Sequence, residues 1–232
     1  MSGDPKFDPA PASRRPRRAA AGARPEPERP DPKTRLVEAA ARHFAEYGFE
    51  GASQRAIQRE VGVNPATTHY YFGSKEALYR AVLERYLGPI QAARTDALPA
   101  ANAVFGANER FRALLVAYLS PHLHTAATEG GYNYARILAA IQFTSPGPAT
   151  SIINEAVDPV RELYLAALQG IFPTTQRARL RTALHMTVML MAMAAIRARD
   201  ALADEAQRAA LIAELVDFSA AGFKAICGEP KL

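Results

Sequence analysis

Cysteine is nearly absent from the 232 residues: a lone Cys227 excludes an intrachain disulfide and a zinc cluster built on thiolates. A reducing compartment suits such a chain, and the cytoplasm is the expected location. Long apolar runs are also missing. The longest, Met186 to Ile196, is 11 residues between Arg181 and Arg197, about half of the ~20 needed to span a bilayer, so it predicts a buried helix and no membrane. The opening residues MSGDPKFDPAPASRRPRR contain no apolar core of the kind a secretion signal needs. Gly-rich phosphate loops, paired carboxylates on a common face and a Ser/His/Asp constellation are not found, so an enzyme is not expected. His122-Leu-His124 places two imidazoles too close in sequence to share a helix face, with no acidic partner three or four residues away. Neither a metal nor a cofactor is expected. The chain shows no internal repeat.

What is present is a globular composition, 49% hydrophobic, with a net charge of +5 and an isoelectric point near 9.5. Such a balance permits a polyanionic partner without requiring one. Residues 1–32 hold eight prolines, seven basic and five acidic residues and a single aromatic, Phe7. A segment this poor in apolar surface cannot offset its ordering entropy, so it reads as a disordered arm. Its cluster Ser13-Arg-Arg-Pro-Arg-Arg18 suits contact with phosphates or a narrow minor groove, or simply solvation.

From Lys33 onward the pattern is helical. Leu36, Ala40, Phe44 and Tyr47 recur on one helical face until Gly48 stops it, with His43 beside that stripe as a core or boundary residue. Ser53 is a good N-cap for a short second helix through about Val61, in which Ile57 and Val61 share a face. Gly62 supplies the left-handed conformation of a tight interhelical turn, and Val63 is expected to plug that corner. Asn64 caps a third helix with Pro65 in its first position, running to about Tyr71. After Gly73-Ser74 a fourth helix begins, with Leu78, Val82 and Tyr86 on one face, and Gly88-Pro89 is expected to interrupt it.

Two short helices joined by a glycine-containing turn form the helix-turn-helix pattern, whose second helix enters the major groove. Hydroxyls suit its exposed side: Thr67 and Thr68 can reach phosphates or base edges, tyrosine hydroxyls can donate to phosphate, and small Ala66 permits close approach. The stretch TRLVEAAARHFAEYGFEGASQRAIQREVGVNPATTHYYFGSKEALYRAVLERYL, residues 34–87, resembles over its whole length the DNA-binding domain of TetR-type transcriptional regulators. The telling parts are A-x-x-x-F-A-E-x-G-F-x-G-A-S, I-x-x-x-V-G-V and Y-Y-F-G-S-K-E-A-L. The resemblance implies that Ser53, Gln54 and Arg55 reach backbone or base. It also implies that Asn64, Pro65, Ala66, Thr67, His69 and Tyr70 line the groove and that Lys75 holds a phosphate. Where the family usually has an apolar residue followed by Tyr, this chain has Thr68-His69, so His69 would make a pH-sensitive contact instead. Arg55 is the favoured base reader, its fork matching guanine O6 and N7.

Residues 88–228 read as further helices separated at Leu98-Pro99, Gly130-Gly131, Ser145-Pro-Gly-Pro148 and Phe172-Pro-Thr174. The last two span Gln176 to Arg199 and Asp204 to Ile226. Leu180, Leu184, Val188, Met191 and Ala195 make one stripe; Leu211, Leu215, Phe218 and Gly222 lie beside Ile212, Val216, Phe223 and Ile226 in another. The resemblance implies a homodimer through these two helices, which suits a palindromic double-stranded DNA operator with half-sites about 34 to 36 Å apart. It also implies a cavity for a small-molecule effector, with Tyr118, His122, Tyr134, Phe143, Met186, Met189 and Met193 as candidates; a plainly packed core is the alternative. His185 is expected to be a buried polar residue or a pocket donor.

The expected architecture is all-α: an N-terminal three-helix helix-turn-helix DNA-binding domain (33–87) plus a C-terminal helical ligand-binding and dimerisation domain (88–228). The expected function is a ligand-released repressor. An activator of the same fold and a helical small-molecule-binding scaffold are the alternatives.

Overall fold

The computed structural model describes residues 30–231. The Arg-rich arm expected within residues 1–32 lies almost wholly outside them. Among the described residues every regular element is helical: α1 (Pro32–Gly51), α2 (Gln54–Val61), α3 (Pro65–Phe72), α4 (Lys75–Asn102), α5 (Ala107–Ala126), α6 (Glu129–Ile141), α7 (Pro148–Ile171), α8 (Arg177–Arg197), α9 (Arg199–Ala203) and α10 (Glu205–Cys227). Among them, no helix is long and apolar enough to cross a membrane.

Helix α1 starts where the chain supplies acceptors for its free amides. Asp31 Oδ1 accepts from Lys33 N at 2.8 Å and Thr34 N at 3.1 Å, and Pro32 fills the first position, where no N–H is needed. Leu36, Ala40 and Phe44 are buried as the periodicity predicts, and Gly48 turns the chain at φ 68°. Tyr47, expected on the same face, is instead mostly exposed at the rim of the seam between α1 and α6, its ring tilted on His43 at 5.8 Å. His43 is half-buried and donates through Nε2 to Glu60 Oε2 at 2.8 Å. Partial burial raises the Glu60 carboxyl, but the bonds from Arg42 and His43 outweigh it and hold that acid below its ordinary range.

The break expected at Gly88-Pro89 does not occur. Helix α4 runs 28 residues through both Pro89 and Pro99, a length of about 42 Å at ~1.5 Å per residue. Each proline removes one amide donor, freeing the carbonyls of Arg85 and Thr95. Burial on both sides of Pro89 carries the helix across, since Leu83, Leu87, Ile90 and Arg94 all pack inward. Tertiary packing has overridden local propensity. The expected domain boundary at residues 87/88 therefore falls inside one continuous helix.

Around this helix the other elements close a core of aromatic rings. Phe44 and Phe49, stacked on each other at 6.0 Å, each meet Tyr79 edge-on, at 4.9 Å for Phe44–Tyr79 and 5.1 Å for Phe49–Tyr79. Phe111, Phe172 and Phe223 join α5, the end of α7 and α10, with Phe111 at 5.1 and 5.2 Å from the other two. The Gly130-Gly131 pair, expected as a break, forms the first turn of α6. A Cβ on Gly131 would stand 1.9 Å from the Thr125 carbonyl, so only glycine lets α6 start against the end of α5. The single helix expected from Gln176 to Arg199 ends at Arg197, and α9 turns the chain into α10.

His122 is 1% exposed, and its Nε2 has no hydrogen-bond partner. Burial, with the Arg94 charge as a smaller cause, pushes its imidazole down to about 3. The folded state therefore holds it neutral, and this part of the stability is complete above the unfolded value near 6.5 and drains away as pH falls toward 3. We predict that lowering pH from 6.5 to 5 costs about 2 kcal/mol through this group. His122→Phe should lose correspondingly less stability over that interval in urea titrations; an unchanged pH slope would refute the assignment.

Candidate functional site

The helix-turn-helix is built from backbone requirements that the sequence meets one at a time. Ser53 Oγ accepts from Ala56 N and opens α2. Gly62 closes it in the left-handed region, φ 72° and ψ 35°, while its N–H and that of Val63 both return to the Gln58 carbonyl. Val63 packs against the core as expected. Asn64 Oδ1 then accepts from Thr67 N at 2.8 Å and from Thr67 Oγ1 at 3.0 Å, and Pro65 begins α3.

Which residues α3 presents differs in part from the sequence reading. Thr68 is 2% exposed, with its hydroxyl buried and unpartnered, whereas Tyr70 is 83% exposed. Thr68 therefore faces the domain together with half-buried Phe72 one turn later, and it is withdrawn as a DNA contact. Pro65, Ala66, His69 and Tyr70 face outward with Asn64, while Thr67 is half-covered. The Tyr70 and Tyr71 rings meet edge-on at 5.3 Å at the outer margin. His69 Nδ1 donates to the Gly73 carbonyl at 3.1 Å, which leaves Nε2 facing out as an acceptor.

On α2, Ser53 and Arg55 are exposed and Gln54 is half-covered; Arg55 makes no ion pair among the described residues. Arg59, one turn on from Arg55, is also exposed; the i,i+4 spacing of two arginines was the signal that could have found it. Lys75 is partly committed within the fold. Its Nζ donates to the Glu50 carbonyl at 3.0 Å and lies 5.0 Å from the Phe49 ring centre, which ties α4 to the turn after Gly48. Two of its three donors stay available for a phosphate.

The seven effector candidates do not form one group. Tyr118, His122 and Tyr134 are buried together, His122 and Tyr134 with ring centres 5.8 Å apart. Phe143 is 75% and Met186 54% exposed, so both point away from that group, and Met189 and Met193 are half-buried on α8. A cleft of about 680 Å3 opens between α6, α7 and α8, and of the seven only Tyr118 lines it. His185 is exposed on its lining, so of its two expected settings burial is corrected and a place on a pocket wall remains.

Sequence reasoning missed what lies behind Tyr118. Arg94 of α4 is 3% exposed with no carboxylate beside it. Its Nε donates to the Tyr118 carbonyl at 2.8 Å, its Nη1 to Gln91 Oε1 at 3.0 Å, and its guanidinium lies 4.0 Å over the Tyr118 ring. The Tyr164 hydroxyl donates to the Arg94 carbonyl at 2.8 Å, and burial pushes that phenol up to about 12. A buried cation is held here by carbonyl dipoles and a ring face.

Comparison with known proteins agrees with this geometry. Residues 36–82 match the family described as bacterial regulatory proteins, tetR family, and residues 116–222 match the tetracyclin repressor-like C-terminal domain. The HTH-type transcriptional regulator BetI of Rhizobium meliloti (strain 1021) is 40% identical over 80 residues, 34% of this chain and 38% of that protein. The match thus spans well under half of that relative's length. The fatty acid degradation regulator FadR from Bacillus halodurans superposes with a TM-score of 0.59 at 18% identity, over 82% of this chain and 98% of that one. A cysteine mutant of the TetR family regulator CifR, solved with 26 bp double-strand operator DNA, superposes with a TM-score of 0.54 at 20% identity, over 83% and 98%. From its capped reading helix to its C-terminal bundle, the chain belongs to the TetR family of bacterial transcriptional regulators.

Proposed function

We propose that this chain is a cytoplasmic, ligand-responsive repressor that acts by binding alone: a homodimer on a palindromic operator, released when a small molecule occupies its C-terminal domain. Residues 33–87 serve as the reading head, and 88–228 as the effector and dimerisation part. The observation that carries this reading is the division of α3, with Thr68 sealed inward while Pro65, Ala66, His69 and Tyr70 stand in solvent. A packing helix has no need of such a face, and a groove-reading helix does.

The positive end of the α3 dipole favours an approaching phosphate. Arg55 and Lys75 add charge at either side, and Ser53 and Gln54 stand beside Arg55 within reach of the same strand. A homodimer is supported by apolar side chains left outside on α8 and α10, Met186 and Phe218 above all, the latter 69% exposed. Release by an effector is supported by the cleft that ends on Tyr118. That residue touches Arg94, and Arg94 sits on the helix whose first turn carries Lys75. Moving a population from mostly bound to mostly released requires about 5.5 kcal/mol of differential affinity.

The operator is to be recovered by selecting genomic fragments on the purified protein. On that operator Arg55→Ala is predicted to cost about 1 to 3 kcal/mol and to relax preference at one base pair, read by fluorescence anisotropy against single-base variants. Uniform weakening on all sequences would make Arg55 a phosphate contact. Phe218→Glu is predicted to yield monomers in sedimentation and to lower operator affinity more than tenfold; a dimer of undiminished affinity would remove α10 from the interface.

A further inference from the structure

The chemical class of the effector can be argued from the cleft itself. Its floor is apolar, formed by Tyr118, Leu138, Val157 and Val188. Its rim carries the guanidinium groups of Arg161, Arg177 and Arg181, and no acidic residue lines it. Two carboxylates stand behind the rim. Glu162 accepts from Arg177 at 2.7 Å and from Arg181 at 2.8 Å, and Asp158 pairs with Arg161. The hydrogen bond from Arg177 is the largest cause holding the Glu162 carboxyl below its ordinary range, so the cluster keeps three cations against two anions. Each arginine has five donors, and these pairs occupy only part of them. Arg161 Nε is buried without a partner.

The start of α8 adds to this field. Gln176 provides no side-chain cap, the first turn holds no acidic residue, and Arg177 and Ala178 both line the cleft. Basic side chains at the positive end of a helix dipole are unfavourable, and Glu162, shared between Arg177 and Arg181, offsets them only in part, so a further anion is favoured. A cationic ligand would find no carboxylate on the lining and a single aromatic ring.

We infer that this cleft takes an amphiphile with a carboxylate or phosphate head at the arginine rim and an apolar tail on the Tyr118 floor. The inference rests on the proposal that the cleft is the effector site, and it goes further by naming the ligand's chemistry. The volume, about 680 Å3, lies within the ~300–1,000 Å3 range of small-molecule sites.

The test is calorimetric titration of the full chain with four ten-carbon probes below their micelle concentrations: decanoate, decyl phosphate, decanol and decyltrimethylammonium. At least one of the two anions should bind tenfold or more tighter than decanol, with a preference that shrinks as salt rises, and the cation should not bind. Which anion is preferred separates a carboxylate from a phosphate head. R161Q and the double variant R177Q/R181Q should each weaken anion binding at least tenfold while decanol binding stays within twofold, which also reports an intact fold. If decanol or the cation binds as tightly as the anions and Val157→Trp abolishes that binding, the cleft stands as the site and the anion inference is overturned. If no probe of any charge binds, or binding survives Val157→Trp, the cleft itself is overturned as the effector site. The comparison of charges uses the unaltered protein and does not depend on any variant folding.

Discussion

An eight-residue helix cannot hold itself together in water, where isolated helices shorter than about 12 to 15 residues are marginal. The exposed face of Pro65, Ala66, His69 and Tyr70 is carried on such a helix, so that surface exists only because its neighbours impose it. Thr68 and Phe72 fasten the inner side, Asn64 fixes the first turn, and Ser74 begins α4 immediately after Gly73. The aromatic trio of Phe44, Phe49 and Tyr79 lies beneath, and Lys75 bridges back to the end of α1. The presentation of that face is a property of the whole domain, not of α3 alone.

The same constraint explains which parts of the molecule are legible in the amino-acid sequence. Where a backbone conformation admits few residue types, the sequence names the place: Gly48 and Gly62 at positive φ, Ser53 and Asn64 as caps, Pro65 at the head of α3. The Thr68 side of α3 is not legible that way. In a seven- or eight-residue helix, a stripe one residue wide on a wheel shifts with small changes in tilt, and a threonine suits either environment. The α4 break at Pro89 is misread for a related reason, because local chemistry predicts a stop and the burial of Leu87 and Ile90 overrules it.

That misreading conceals Arg94, since a helix thought to end at Gly88 carries no side chain six residues later into the core. It also separates the aromatic candidates from their setting. Tyr118 was found by its type, but its neighbours Arg94 and Tyr164 come from helices 24 and 46 residues away in the chain, and periodicity contains nothing about such pairings. Methionine and phenylalanine at helical spacing, as with Met186 and Phe143, mark apolar surface without saying whether it faces a cavity, a core or another protein.

Pro89 gives α4 an uneven stiffness along its length. On one side the rod is gripped by the aromatic trio and the ion pair of Arg85 with Glu38, and on the other by the Arg94 lock under Tyr118 and Tyr164. Between these two grips the backbone ladder lacks a rung, and the neighbouring Gly88 has no side chain to brace the gap. Bending of α4 between the two grips is therefore easiest at Pro89, so a displacement at the Tyr118 end would tilt the α3 end about that point.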